Sequence, residues 1–143
     1  MTTNPRVIAL AHYAGRALLE NALARHGLTF QQSVTLRPAA LADGPLDRDR
    51  LVADVVGSLK IDAAEAHAVV DELLAAGLLA PEGTSEVRIT RAGRDLYQTT
   101  SAETAPLTAR IYAGIPEEDL AVAGRVLGLI TERANRELAA LPE

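Results

Sequence analysis

Apolar residues recur at three- and four-residue intervals through the first half of the chain, and this spacing predicts a series of amphipathic helices. The first helix should begin at a cap formed by Asn4, carry Pro5 in its first turn and end at Gly27. The second should begin at a Thr29 cap and run to about Leu41. The pattern therefore predicts two helices before the first loop.

Two further helices are predicted after the turn signal "ADGPLD" (42–47). Asp47 can cap the third helix. Asp62 and Glu65 form a pair resembling a capping box at the start of the fourth, which should stop at Gly77. The residues of the fourth helix expected to face the core are Ala66, Val69, Val70 and Leu73.

The hydrophobic pattern changes after residue 77. "LLA" (78–80) and "EVRIT" (86–90) are strand-like runs that flank the turn-rich "PEGTS", and together they predict a β-hairpin. Thr90 can then cap a fifth helix. Within the helices, Pro38 is expected to bend or shorten the second, and Pro106 to interrupt the fifth.

The last helix should start at "GIPEED" (114–119), where Pro116 suits a first turn and the acidic residues favour the positive end of the helix dipole. It carries a seam typical of coiled coils, formed by Leu120, Ala123, Leu127, Ile130, Ala134 and Leu141. The seam is short and rich in alanine, so we expect it to need a partner helix.

Composition excludes several classes of protein. The chain has 143 residues, of which 48% are hydrophobic, which suits one compact domain with an aliphatic core. It has no cysteine, which excludes disulfides and thiol chemistry, and its three histidines lie far apart, so we expect no metal and no cofactor. No catalytic motif stands out, so we do not expect an enzyme.

The N-terminus is too polar for a secretory signal and no apolar run could span a membrane, so we expect a cytoplasmic protein.

The predicted order of elements, together with four stretches of sequence, resembles the MarR family of winged-helix transcriptional regulators. These stretches are "HGLTFQQSVTLR" (26–37), "RLVADVVGSLKIDAAEAHAVVDELLAAGLL" (50–79), "ITRAGRDLY" (89–97) and "GIPEEDLAVAGRVLGLI" (114–130). The third is the most specific, because it looks like the family's Leu-Thr-x-x-Gly signature with Ile89 in the leucine position.

The resemblance implies a mainly α fold with a small β-hairpin wing, in which a winged helix-turn-helix is joined to a helical dimerisation lobe. It implies a single MarR-like domain over 1–143, with residues 28–98 as the winged-helix lobe and residues 1–27 and 99–143 as the dimerisation lobe. It also implies a homodimer that represses genes by binding near-palindromic double-stranded DNA. Many members of the family release DNA when a small aromatic anion binds between the lobes.

The charge distribution departs from what DNA binding requires. Residues 41–99 contain eleven acidic and six basic residues, which accounts for the whole net charge of −5. The stretch expected to enter the major groove, "AAEAHAVVDELLAAGLL" (63–79), has no Arg or Lys but contains Glu65, Asp71 and Glu72. The wing tip lacks the Asp-Arg pair usual in the family. A rival interpretation is therefore a winged-helix dimer that has lost DNA binding and senses a ligand or a protein partner.

Base contacts are predicted from the fourth helix and phosphate contacts from outside it. His67 can donate to guanine or a phosphate, Ala64 and Ala68 can touch a thymine methyl, and Asp71 can accept from cytosine but would repel phosphates. The alternative is an ordinary solvent-facing helix. The predicted phosphate contacts are Arg48, Arg50, Lys60, Arg88, Arg91 and Arg94, with Arg91 the best placed. For Arg48 and Arg50, the alternative is pairing with Asp47, Asp49 or Asp54.

A candidate effector site lies on the first helix. His12 and Arg16 are four residues apart and share a face, with Tyr13 beside them. Arg16 could hold a carboxylate through two hydrogen bonds, His12 or Tyr13 could bind a phenol, and Gln31 or Gln32 could add polar contacts. The alternative is an Arg16–Glu20 surface pair and a histidine at the dimer interface.

Overall fold

The fold was analysed in a computed structural model that describes residues 1–143. It contains six helices and a three-stranded antiparallel sheet. The elements in chain order are α1 (Pro5–Ala24), α2 (Phe30–Leu41), β1 (Leu46–Asp47), α3 (Arg48–Leu59), α4 (Ala63–Ala75), β2 (Leu79–Glu82), β3 (Glu86–Ile89), α5 (Arg91–Tyr112) and α6 (Glu117–Ala139). None of the helices combines the length and apolarity required to cross a bilayer.

The first two helices begin at their predicted caps. The Asn4 side chain accepts a hydrogen bond from the Val7 N–H at 3.0 Å. Thr29 forms a complete capping box, because its hydroxyl accepts from the Gln32 N–H at 3.1 Å and its own N–H donates to the Gln32 side chain at 3.0 Å. These bonds satisfy backbone N–H groups that have no partner within the helix.

The caps of α3 and α4 are also as predicted. Asp47 accepts from the Arg50 N–H at 2.9 Å, and Asp62 accepts from the Glu65 N–H at 2.7 Å. The Glu65 side chain makes no reciprocal bond, so only half of the expected capping box forms at α4.

Neither internal proline ends its helix. The prediction that Pro106 interrupts the fifth helix was wrong, because α5 runs through it from Arg91 to Tyr112. Likewise, α2 reaches Leu41 and is not shortened at Pro38. A proline removes one backbone hydrogen bond and crowds one carbonyl, and the remaining turns of each helix outweigh that loss. Burial of α2 against the core adds to its stability.

The sheet is larger than the predicted hairpin. β3 lies in the centre and pairs with both β2 and β1. Leu46 lies opposite Val87, and the side chain of Val87 is buried. A two-residue strand such as β1 is too short to give a hydrophobic alternation, which is why the sequence analysis missed it. β2 extends beyond "LLA" to Glu82, so only residues 83–85 connect β2 to β3 and the loop of the wing is shorter than the predicted "PEGTS".

The core is centred on α4. Ala66, Val70 and Leu73 are fully buried and Val69 is nearly so, which confirms the predicted inward face of this helix. The other buried members of the cluster are Leu36, Ala39, Leu51, Val52, Val55, Leu79 and Val87. Because α2, α3, β2 and β3 all contribute to this cluster, the inward face fixes which side of α4 remains outside.

The stretch "ITRAG" (89–93) joins the wing to α5 through a close contact. The Thr90 hydroxyl accepts from the Gly93 N–H at 3.0 Å and donates to the Gly77 carbonyl at 2.6 Å. A Cβ at position 93 would overlap the Leu78 carbonyl oxygen and come within 2.9 Å of the Ile89 side chain. The glycine is therefore required by the packing of α5 against the stem of the wing.

The chain divides into two compact units, Met1–Pro106 and Leu107–Glu143. The first contains α1 to α4, the sheet and most of α5. The second contains the end of α5 and all of α6, none of whose residues is buried. Leu141, predicted to continue the apolar seam, lies just beyond the end of α6. The division into lobes 28–98 and 1–27 plus 99–143 remains a prediction.

Candidate nucleic-acid interface

The outward side of α4 follows a tight turn. Lys60 ends α3 in the left-handed conformation, with φ of 59°, and Asp62 caps α4 two residues later. The core face of α4 leaves Ala64, Ala68 and Asp71 exposed, with His67 half-buried beside them. This arrangement is a helix-turn-helix, and it presents the residues predicted to contact bases on one surface.

Arg48 binds two of those residues. Its Nη2 donates to the Asp71 carboxylate at 2.8 Å and, more weakly, to the His67 carbonyl at 3.4 Å. Its Nε donates to His67 Nδ1 at 3.3 Å. The pairings with Asp47, Asp49 or Asp54 considered from the sequence do not form. Arg48 instead joins the start of α3 to the outward face of α4 and neutralises its central acid.

The other two acids of α4, Glu72 and Glu65, do not pair with Arg48. Glu72 accepts a hydrogen bond from the Gln32 side chain at 2.9 Å, so its carboxylate is directed to α2. Glu65 is in the first turn, where a negative charge interacts favourably with the helix dipole. Of the three acids, only Glu65 has no side-chain partner. The outward face is therefore less negative than the sequence indicated.

The five predicted phosphate contacts other than Arg48 fall into two groups. Arg50, Lys60 and Arg91 are exposed and form no ion pair. Arg88 pairs with Glu82 at 3.1 Å, and Arg94 donates to the Ala40 carbonyl at 3.3 Å. The first group is free to bind an external anion, whereas the second already has partners within the chain.

The wing carries a row of carboxylates. Residues directly opposite each other in a sheet project from the same face, and Glu86 lies opposite both Asp47 and Glu82. All three residues are exposed. This row could not be predicted from the sequence, because it depends on the presence of β1 and on the register of the strands. The row gives the wing a negative face.

The candidate effector residues on α1 meet an aromatic ring that the sequence analysis did not single out. The Arg16 guanidinium lies over the Phe30 ring, 4.2 Å from its centre, and also pairs with Glu20. The His12 ring is 6.4 Å from Phe30 and 6.0 Å from Tyr13. Phe30 is the only phenylalanine of the chain. The Arg16–Glu20 pair is the arrangement that the alternative interpretation expected.

A separate cleft of about 230 Å³ lies near the turn between α1 and α2. Its walls are mostly apolar, with His26 and Gln32 as polar groups; the full lining is His26, Gly27, Leu28, Gln32, Leu73, Ala76, Leu78 and Leu96. Of the predicted effector residues, Gln32 lines this cleft, whereas His12, Tyr13, Arg16 and Gln31 do not.

Beside the cleft, His26 is hydrogen-bonded to Glu103 at 2.9 Å, and Arg25 lies 3.7 Å from the same carboxylate. The hydrogen bond from His26 is the main reason that the pKa of Glu103 is lowered; partial desolvation opposes it, and the charges of His26 and Arg25 add to it.

Comparison with solved structures shows the fold. No protein-family model and no curated protein matches the sequence. CouR from Rhodococcus jostii RHA1, solved bound to p-coumaroyl-CoA, is 20% identical with a TM-score of 0.73, over 87% of this chain and 88% of CouR. A MarR family regulator from Silicibacter pomeroyi is 20% identical with a TM-score of 0.75, over 91% and 88%.

A third structure contains DNA. It is the MarR family protein Rv2887 of Mycobacterium tuberculosis in complex with DNA, which is 21% identical with a TM-score of 0.66, over 91% of this chain and 98% of that protein. The likeness extends over nearly the whole of each chain although few residues are shared. The chain therefore has the winged-helix fold of the MarR-type transcriptional regulators.

Proposed function

We propose that the protein is a transcriptional regulator that binds double-stranded DNA as a homodimer and acts as a ligand-responsive repressor. The observation that carries the proposal is the Arg48–Asp71 ion pair, 2.8 Å long. It removes the main electrostatic objection to α4, since Asp71 lies on the same outward face as His67, Ala64 and Ala68. The outward face then presents His67 and two alanines, all compatible with base edges.

Phosphate anchoring would come from the unpaired cations around α4. Arg50, Lys60 and Arg91 are exposed and free of ion pairs. Each phosphate contact releases bound counterions from DNA, so three contacts per protomer supply affinity that falls steeply with salt. In this kind of binding, the phosphates are held by residues that flank α4 and not by residues of α4 itself.

The dimer is supported by the apolar surface of α6. Val126, Leu127 and Ile130 are each about 40% exposed, and no residue of this 23-residue helix is buried. A contiguous apolar stripe of this kind marks an interface. We propose a second copy of the chain as the partner, because a two-fold dimer presents two helix-turn-helices to two half-sites.

A small aromatic anion is proposed as the effector, bound at Arg16. Its guanidinium is already stacked on the Phe30 ring, which suits it to bind the carboxylate of an aromatic anion.

The effector proposal is tested by a melting curve with benzoate. At a hundredfold excess over its dissociation constant, benzoate should stabilise the protein by roughly 2.7 kcal/mol per site. Arg16→Ala should abolish the effect, and Glu20→Gln should strengthen it by freeing Arg16. An unchanged response in Arg16→Ala would move the site elsewhere, with the cleft beside His26 as the next place to examine.

The proposal of DNA binding is tested with the duplex upstream of the protein's own gene and a random-sequence duplex of equal length. Affinity should be higher for the former, and both affinities should fall between about 50 mM and physiological salt. If neither duplex binds at about 50 mM salt, the regulator proposal fails.

The row of carboxylates on the wing favours a second candidate, a winged-helix dimer that binds a protein or a small ligand instead of DNA. Glu82, Glu86 and Asp47 would repel the phosphates of a groove that the wing entered. Replacing Glu82 and Glu86 with Gln discriminates between the two. A DNA-binding protein should bind all duplexes more tightly after the change, whereas a protein that does not use DNA should still bind none.

A further inference from the structure

His67 has two ring nitrogens, and the structure assigns a role to each. Arg48 is always protonated and can only donate, so the Nδ1 that receives its Nε–H must carry no proton. The ring proton is then on Nε2. His67 in this arrangement is a hydrogen-bond donor through Nε2 and cannot present Nε2 as an acceptor.

We propose that Arg48 is the positioning residue for base reading by α4: held by Asp71, it fixes His67 as an Nε2–H donor toward the major groove. This inference rests on the proposed DNA binding and adds which base α4 recognises. A donor matches guanine N7 or O6 and is mismatched with the exocyclic amine of cytosine. Guanine, which presents two acceptors and no donor, is therefore favoured opposite His67 in each half-site over adenine and thymine, which present one acceptor each, and cytosine is rejected.

The arrangement also changes the roles of Arg48 and Asp71. Arg48 directs both Nε and Nη2 to α4, and its side chain is only 27% exposed, so it is a poor phosphate contact. Asp71 has one oxygen bound to the guanidinium, which weakens it as an acceptor for cytosine. The three side chains act as one unit in which only His67 touches the base.

The first test needs no DNA. Nitrogen-15 spectra of the His67 ring in the free protein at pH 8 should show the proton on Nε2, and the Nδ1 resonance should move in Arg48→Met. A proton on Nδ1, or an Nδ1 resonance unchanged in Arg48→Met, overturns the proposed contact. This outcome is independent of whether the protein binds DNA.

The second test is a double-mutant cycle on discrimination, with a duplex enriched by the wild-type protein from a random pool. His67→Ala should reduce the affinity ratio of enriched to random duplex about fivefold or more. Arg48→Met should cause a similar loss, and the double variant should be no worse than either single variant. Replacing the half-site guanine with 7-deazaguanine removes N7, and replacing it with 6-thioguanine weakens the acceptor at position 6; at least one of these changes should reduce wild-type affinity but not that of His67→Ala.

A purely structural role for Arg48 predicts a different result. In that case Arg48→Met would weaken binding to enriched and random duplexes equally, and its loss would add to that of His67→Ala. Either observation overturns the inference while leaving DNA binding intact. If the wild-type protein enriches no sequence at all, both the inference and the proposed function are wrong.

Discussion

His26 and Glu103, separated by 77 residues in the chain, are joined by a hydrogen bond of 2.9 Å. The bond connects the turn after α1 to the middle of α5. Because it lowers the pKa of Glu103, the carboxylate form is favoured in the folded protein. Its contribution to stability is present above the ordinary pKa of a glutamate and is lost as pH falls through the lowered value.

Glu103→Gln should therefore lower the melting temperature at neutral pH, and the difference from wild type should shrink as the solution is acidified. Glu132→Gln is the matched control, because Glu132 pairs only with Arg136 within α6 at 3.9 Å and both side chains are 66% exposed. Thermal melts from pH 7 down to pH 3 measure the effect. A difference between Glu103→Gln and wild type that stays constant with pH would exclude this role for Glu103.

Gly93→Ala should destabilise the protein by several kcal/mol, because the new Cβ would overlap the Leu78 carbonyl oxygen, a backbone atom that cannot move aside cheaply. Gly57→Ala in α3 is the control, since nothing lies within 4 Å of its Cβ position. That change should raise stability by about 0.5–1 kcal/mol, because alanine is the better helix former. Urea denaturation of the two variants would refute the packing argument if both gained stability.

Lys60→Gly should raise stability by up to about 1 kcal/mol, because Lys60 holds a left-handed backbone that costs a residue with a side chain about that much. Affinity for DNA should fall at the same time, since a candidate phosphate contact is lost. Lys60→Ala separates the effects: it should lower affinity equally without the gain in stability. Equal melting temperatures for the glycine and alanine variants would show that the turn is unstrained.

Replacing both Leu127 and Ile130 with Asp should leave an unstable monomer or an unfolded chain, because it puts charges into the proposed dimer interface. Sedimentation velocity gives the assembly state, and circular dichroism the fold. Leu141→Asp, beyond the end of α6 and already 65% exposed, should remain dimeric. A wild-type protein that sediments as a well-folded monomer would end the dimer proposal.

Arg91→Ala should weaken binding to all duplexes and reduce the slope of log affinity against log salt by about 0.9 per lost phosphate contact. Arg91 is exposed at the start of α5 and has no ion pair. Arg133→Ala, an exposed arginine of α6, serves as the control and should leave the slope unchanged. If the two variants had identical slopes, phosphate anchoring by Arg91 would be excluded.

The helices of this protein could be predicted from the sequence because their signals are local. The caps at Asn4, Thr29, Asp47 and Asp62 each act on the N–H group three residues away, so the residues that start these helices are sufficient to identify them. The core face of α4 was also predicted, because helical periodicity alone decides which residues share a side.

Tertiary structure alone decided the electrostatics of the candidate interface. The partner of Arg48 is Asp71, which is 23 residues away in the chain. No local pattern selects Asp71 over the acids that are nearer to Arg48 in the sequence. The carboxylate row on the wing depends on the register of β1 against β3, in which Leu46 lies opposite the buried Val87 and Asp47 opposite Glu86. Ion pairs and strand register join distant parts of the chain, so their energies depend on distances in space that a sequence does not contain.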